Sequence, residues 1–406
     1  MSQFLDLSLL KKNRDFRLLY FGQFISFIGT MISSVALPYQ IYQMTQSTLM
    51  VGLLSLVQLL PLLVTALIGG VFADRYNRRG LLIFSELLLA VGCCMLVLNS
   101  YQAAPSLILI FIVSASMSAI TGLHRPAFDS IAQQIVDPSD YKKMGVLATF
   151  KFSFCMIIAP ALSGLIIAQY GIVITYLIDL ITFFMSLVTL IRLHNIPKPV
   201  QHVHPSILSS LKQGVSFAFN REELMGSYLV DFIAMVFAWP NSLLPAIAQS
   251  FGGAKTLGLL YSAPAVGALI ISFFSGWTAK VDRDGKAIAI AAALWGASII
   301  GFGLSSSLWL VLFFLALAGA FDAISGIFRG TLWNNTIPTE YRGRLAGIEM
   351  ISYLSGPKLG DTRAGFIASS FSITTALISG GVLCIIGVTV CCLAFPKFWR
   401  YRSHQP

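Results

Sequence analysis

Three charged side chains stand within six residues of an otherwise apolar stretch. They are Lys358, Asp361 and Arg363, in Gly356-Pro357-Lys358-Leu359-Gly360-Asp361-Thr362-Arg363-Ala364-Gly365. An ionisable group at the centre of a bilayer costs on the order of 2.5–3.5 kcal/mol on insertion scales, so such groups persist where they are paired or where they line a polar route. Lys358 and Asp361 are three apart and share a helix face. Arg363 points elsewhere, beside the stripe of Gly356 and Gly360, whose missing side chains let a neighbouring helix approach. Two uses fit the cluster: an ion pair beside a packing seam, or a place on a polar path through the bilayer.

The remaining intramembrane charges are more dispersed. Gly319, Asp322, Gly326 and Arg329 fall on one helix face, with Asp322 and Arg329 about 10 Å apart along the axis. That distance predicts no direct pairing, so each is expected to need another partner or water. Asp231 has no cation within one turn, and Trp239 lies two turns further on. A carboxyl buried without a cation suits proton exchange at working pH, so Asp231, Asp322 and Asp361 are the proton-carrying candidates. Arg125, Lys151, Arg329, Lys358 and Arg363 are the intramembrane cations and suit an anionic or hydrogen-bonding small molecule. Gln23 and Trp239 join them as candidate cavity residues. Arg125 and Glu86 have an alternative, pairing with each other near the inner face, and Asp179 fits either use.

These residues need helices to hold them. Of 406 residues, 56% are hydrophobic and 11% charged, with mean hydropathy +0.79. A soluble domain carries roughly 25% charge. A span needs about 20 apolar residues, which leaves room for about a dozen. The apolar runs fall at 16–41, 49–72, 81–98, 106–128, 144–168 and 172–190, then at 224–247, 256–279, 287–304, 308–333, 345–370 and 373–395. The first run carries Gln23, Ser26, Thr30, Ser33 and Ser34, a stripe expected of a helix facing a water-filled cavity. Between the two sets lies a polar interval with Pro197, Pro199 and Pro205. There Ile207, Leu208, Leu211, Val215 and Phe219 recur at helical spacing, which predicts an amphipathic helix on the inner face. The resulting organisation is a lead, 1–15; a six-helix bundle, 16–191; a linker, 192–223; a second six-helix bundle, 224–396; and a tail, 397–406. The predicted fold is all-α, with twelve transmembrane helices in two six-helix repeats around a central cavity.

Landmarks repeat about 200 residues apart. Gly276-Trp277-Thr278-Ala279-Lys280-Val281-Asp282-Arg283-Asp284 is a worn copy of Gly70-Val71-Phe72-Ala73-Asp74-Arg75-Tyr76-Asn77-Arg78-Arg79. Tyr341-Arg342-Gly343-Arg344 echoes Tyr141-Lys142-Lys143, and Gly356-Pro357 echoes Ala159-Pro160. Internal repeats of this kind are the usual construction of secondary transporters. The net charge of +10 sits on alternate loops. The asymmetry predicts that both termini are cytoplasmic and does not form the basic stripe of a nucleic-acid binder. The six cysteines lie in apolar runs without metal-ligand spacing, so no metal and no cofactor is expected. No His-Glu-x-x-His, Gly-x-Ser-x-Gly or Gly-x-x-x-x-Gly-Lys-Ser/Thr occurs, which argues against an enzyme and against an ATP drive within the chain.

The loop Gly-x-x-x-Asp-Arg-x-x-Arg-Arg at 70–79 resembles the cytoplasmic signature of the major facilitator superfamily. Gly70, Asp74, Arg75 and Arg79 then read as a gating loop, in which Asp74 caps a helix of the other half and the arginines bind carboxylates or carbonyls to hold the inner side shut. The second half resembles the enterobactin-exporter family more closely. The segments are Leu229-Val230-Asp231, Gly258-Leu259-Leu260-Tyr261-Ser262-Ala263-Pro264, Leu294-Trp295-Gly296, Ala318-Gly319-Ala320-Phe321-Asp322, Tyr341-Arg342-Gly343-Arg344 and Gly356-Pro357-Lys358-Leu359-Gly360-Asp361. The resemblance implies a bacterial inner-membrane pump that moves an iron-free siderophore or a similar amphipathic molecule outward in exchange for protons. A broad drug exporter is the alternative, and a monomer is expected.

Overall fold

In lipid an apolar run of twenty residues must satisfy every backbone N–H and C=O within itself, and the helix does so. The computed structural model describes residues 6–193 and 216–403, and it has no strand among them. Its helices are α1 Ser8–Lys12, α2 Arg14–Thr45, α3 Thr48–Arg75, α4 Arg78–Tyr101, α5 Leu107–Ile135, α6 Tyr141–Ile191, α7 Glu222–Ala238, α8 Leu244–Ser250, α9 Ala254–Phe273, α10 Asp284–Leu304, α11 Leu308–Thr336, α12 Thr339–Ser370, α13 Ile373–Ala394 and α14 Pro396–Trp399. Ten helical segments among the described residues are long and apolar enough to cross a membrane. Large apolar side chains stand on their outer faces, among them Leu60, Val64, Phe273 and Leu393. That is expected of a surface solvated by lipid rather than water. The amphipathic helix expected within 192–223 falls largely outside the described residues.

Local chemistry sets the boundaries. Asn77 caps α4, its side-chain oxygen accepting from the N–H groups of Arg79 and Gly80 at 3.0 and 3.3 Å. Ser372 caps α13 through the N–H of Thr375 at 3.0 Å. Such caps satisfy N–H groups that have no partner within the helix. The 51 residues of α6 are interrupted at Gly171, where φ is 80°. Only glycine takes that left-handed conformation without strain. One expected span is broken: the run at 224–247 stops at Ala238, passes through Trp239-Pro240 and a 3-10 turn, Asn241–Leu243, and restarts as α8. Pro240 has no N–H to donate and its ring obstructs the preceding turn.

The chain divides into two compact units. The first contains Met1–Met44, Val57–Val203 and Gly253–Gly258, and the second contains Thr45–Leu56, His204–Gly252 and Leu259–Pro406. In the first, α4 packs on α5 and α6. Leu19, Leu82, Ile131, Leu190 and Leu193 form one core there. In the second, α10 packs on α11 and α13, and α12 packs on α7. The last of these contacts uses the seam expected from sequence. A Cβ built on Gly356 would lie 2.8 Å from the Cβ of Met235, and one on Gly360 would fall on the Met235 carbonyl. We expect Gly360→Leu to leave little folded protein, because the helix backbones must separate and overpacking costs about 1–3 kcal/mol or more. Fluorescence-detected size exclusion of the tagged variant checks this, and a wild-type monodisperse peak would refute it.

The tail packs against one end of the second unit. Phe398 is fully buried and sits against Gly226 of α7 and Gly285 of α10. Lys397 pairs with Glu222 at 3.0 Å. The N–H of Ser403 donates to the carbonyl of Asp282 at 3.1 Å.

Candidate functional site

The densest ionic arrangement among the described residues of the second unit lies between α7 and α11. Arg329 pairs through Nη1 with Asp231 Oδ1, and through Nη2 with Asp322 Oδ1 at 3.6 Å. This corrects the expectation that Asp322 and Arg329 lie too far apart to meet. Helix side chains lean toward the N-terminus. The long guanidinium of Arg329 therefore reaches back two turns toward Asp322 while also crossing to Asp231. Asp231, without a cation on its own helix, takes one from the next. The side chains of Arg329 and Asp231 are 13% and 15% exposed, against 43% for Asp322. Asp322 is thus the most exposed of the three, and the other two groups are enclosed. Two carboxylates share one cation, so a single added proton makes the trio neutral. That is the charge arithmetic of a proton-binding site in a medium where net charge is costly.

A narrow cleft opens beside the trio, lined by Asp231 and Met235 from α7, Trp295 from α10, and Phe321, Asp322 and Ser325 from α11. Trp295 is 4% exposed and its ring nitrogen has no hydrogen-bond partner among the described residues. Trp239 stacks on it, with ring centroids 6.0 Å apart and planes 14° from parallel. The free space of the cleft is about 10 Å³, room for roughly one water, so the Trp295 ring, its unused N–H and the Asp322 carboxylate line a nearly closed seam.

Asp361 and Arg363 face the break between α7 and α8. Asp361 Oδ1 accepts from the N–H of Ser242 at 2.7 Å, and Oδ2 from the hydroxyl of Ser55 at 2.9 Å. The Ser242 hydroxyl donates back to the Asp361 carbonyl at 2.8 Å. Arg363 donates to the carbonyls of Phe237 at 2.5 Å and Ala376 at 3.4 Å, and to the Ser379 hydroxyl at 3.1 Å. Both side chains thus satisfy backbone groups that the interruption would leave without partners. Lys358 is half-buried one turn before Asp361 on α12.

The first unit holds its own polar interior. Gln23 is buried and donates to Glu86 Oε1 at 2.6 Å, and the Ser186 hydroxyl donates to the same oxygen at 2.9 Å. Ser33 donates to Asp179 Oδ2 at 2.5 Å. The polar stripe of α2 therefore serves buried carboxyls of its own unit at Gln23, Ser26 and Ser33, and only Ser34 is exposed. This corrects the reading of the whole stripe as a cavity wall. Glu86 meets His124, at 3.4 Å, and not Arg125. Adjacent helical residues point about 100° apart, so with His124 turned to α4, Arg125 is exposed. Lys151 lies over the Phe128 ring, 4.9 Å from its centroid. Asp129, one turn beyond Arg125, was outside the span expected from sequence because α5 runs on to Ile135.

Of the gating loop, Arg79 is placed: Nε donates to the carbonyl of Leu190 at 3.2 Å, and Nη2 to that of Ile191 at 2.5 Å. It closes the C-terminus of α6 within its own unit, where a cation also meets the negative end of the helix dipole. Gly70, Asp74 and Arg75 fall outside the described side chains.

A family model described as transmembrane secretion effector matches residues 7–400. The chain is 28% identical over 408 residues to the enterobactin exporter EntS of Citrobacter koseri, covering all of this chain and 97% of that protein. It is 29% identical over 409 residues to the exporter of the same name in Shigella boydii, with the same coverage. Among solved structures, a POT family transporter in complex with 5-aminolevulinic acid aligns with TM-score 0.75 at 14% identity, over 95% of this chain and 97% of that one. A bacterial homologue of the iron transporter ferroportin, in an inward-facing state, aligns with TM-score 0.71 at 15% identity, over 95% of this chain and 98% of that one. At such identities the structural likeness speaks for the fold alone.

Proposed function

The chain belongs to the transmembrane secretion effector family of the major facilitator superfamily, and from that premise we propose that it exports a siderophore, enterobactin or a molecule like it, in exchange for protons. The observation that carries this reading is the full-length similarity to curated enterobactin exporters. As a family member the chain is a multi-pass membrane transporter of small molecules. The twelve-span count is our reading of the helices: ten qualify directly, α6 counts as two across Gly171, and the charge-bearing α12 makes the twelfth. Two six-helix repeats, cytoplasmic termini, a bacterial inner-membrane location, a monomeric state and alternating access complete the proposal. The passage of 192–223 between the bundles belongs to it too.

Asp231 and Asp322 are the carboxyls to which we assign proton exchange, with Arg329 as the cation released or retained as the proton arrives. The seam beside Trp295 and Asp322, with Trp239 stacked on Trp295, is the assigned substrate contact once it opens, and its aromatic faces favour an aromatic or amphipathic cargo. Asp361 is assigned the support of the broken helix, and Arg125 and Lys151 a cationic surface of the first unit. The gating role of Gly70, Asp74, Arg75 and Arg79 remains part of the proposal, with Arg79 working through the end of α6.

Inside-out membrane vesicles test the function. With an acid lumen they are expected to accumulate iron-free enterobactin, and a protonophore is expected to abolish the accumulation. A deletion strain is expected to release less siderophore under iron starvation. Accumulation indifferent to the gradient would remove proton exchange from the proposal, and no accumulation at all would remove the substrate.

A further inference from the structure

One ionisable pair in the first unit has no task in the account above. Glu86 on α4 is 1% exposed. Its neighbours from α2 are Gln23 and Ser26, and from α6 Ser186, all neutral. Among the described residues the basic group within ion-pair distance is His124 of α5, with Nε2 3.4 Å from Glu86 Oε1. The contact lacks hydrogen-bond alignment, and Nε2 is sealed from solvent, while the His124 side chain as a whole remains 14% exposed. We propose that Glu86 and His124 form a proton-exchange site of the first unit, separate from the Asp231, Asp322 and Arg329 trio, in which His124 passes the proton between the enclosed carboxyl and water. This inference rests on the proton-coupled reading.

The charges around the pair set what a proton would do there. On α6, Asp179 is a second buried carboxyl, held by Ser33, Thr182 and Cys93. It adds negative charge to the same interior. On α4, Arg79 lies two turns before Glu86 and is committed to the carbonyls of Leu190 and Ile191. On α5 and α6, Arg125, Asp129 and Lys151 lie within electrostatic reach of one another. They form the nearest charged surface from which a proton can come. With one proton shared between Glu86 and His124 the pair is neutral, whichever atom carries it. Without that proton a bare carboxylate stands among neutral donors, and an uncompensated buried charge is costly. Release must await a rearrangement that brings water or a cation to them, and that requirement ties the proton to a conformational step. A carboxylate needing only structural satisfaction already has it from Gln23 and Ser186, so the misaligned imidazole is not required for that purpose.

Two measurements on the full chain test the site, one of them free of substrate. Infrared titration of the purified protein is expected to reveal a protonated-carboxyl band that is absent in Glu86→Gln and whose midpoint moves in His124→Gln. In inside-out vesicles with iron-free enterobactin as probe, both variants are expected to keep exchange in the absence of a pH gradient and to lose gradient-driven accumulation by roughly tenfold or more, within the usual span of coupling effects. A band unmoved by His124→Gln, or gradient-driven accumulation at the wild-type level at every pH, overturns the relay. Equal loss of both transport modes marks a structural role and also overturns it. A wild-type protein with the titrating band but no response to the gradient defeats the proton-coupled reading instead.

Discussion

Arg329→Gln is expected to abolish gradient-driven efflux and to lower the yield of folded protein sharply. Arg329 is the one cation placed against both Asp231 and Asp322. Removing it leaves the enclosed carboxyl of Asp231 without a cation, beside the partly exposed Asp322. Breaking a buried pair from one side costs about 3–5 kcal/mol, because the remaining charge has no compensation. That is a large fraction of the stability of an ordinary domain. The structural part of the loss is separable. Arg329→Gln with Asp231→Asn removes one charge of each sign and is expected to restore a monodisperse, thermally stable protein that still fails to couple efflux to protons. Full recovery of coupled efflux in the double variant would mean that the trio serves stability only. Wild-type behaviour of the single variant would mean that the pairings carry nothing. Thermal-shift measurements and vesicle transport, run together, decide between these outcomes.

The second large effect is expected at Asp361, and its direction depends on the replacement. Asp361→Asn keeps an oxygen for the N–H of Ser242 and is expected to transport near the wild-type level. Asp361→Ala orphans that N–H and the Ser55 hydroxyl. A buried donor left unsatisfied costs about 1–3 kcal/mol, and the restart of the helix at α8 loses its anchor, so both stability and efflux are expected to fall severely. The two variants together distinguish a cap from a proton carrier: a carrier fails as Asn, while a cap survives it. Loss of coupling in Asp361→Asn with normal folding would return Asp361 to the proton pathway.

The spans were legible in the sequence because lipid admits one solution for a long apolar run, and the seam at Gly356 and Gly360 was legible because small residues mark where backbones meet. The contacts of the charges were less so. Spacing along one axis separated Asp322 from Arg329 by two turns, but it did not include the length and lean of an arginine side chain. A linear sequence also gives no partner on another helix, so it shows no cation for Asp231 and nothing that favours His124 over Arg125 as the neighbour of Glu86. His124 carried no signal at all, since a lone histidine in an apolar run has no spacing to read. The polar side chains of α2 resembled a wetted wall because buried carboxyls and open water ask for the same residue types. At Trp239-Pro240 a signal was present, but hydropathy ran through it unbroken.

The packing of Phe398 against Gly226 and Gly285 also has a consequence for how the protein is made. Helix α7 emerges from the ribosome some 170 residues before the phenylalanine that packs against its N-terminal end. Until residue 398 has been made, that end of α7 has an open socket, and Glu222 lacks Lys397. Domains generally complete as units during synthesis, and late long-range contacts prolong the interval in which partly assembled chains are vulnerable. A nascent chain that stalls or terminates before residue 396 therefore leaves that socket exposed to membrane quality control.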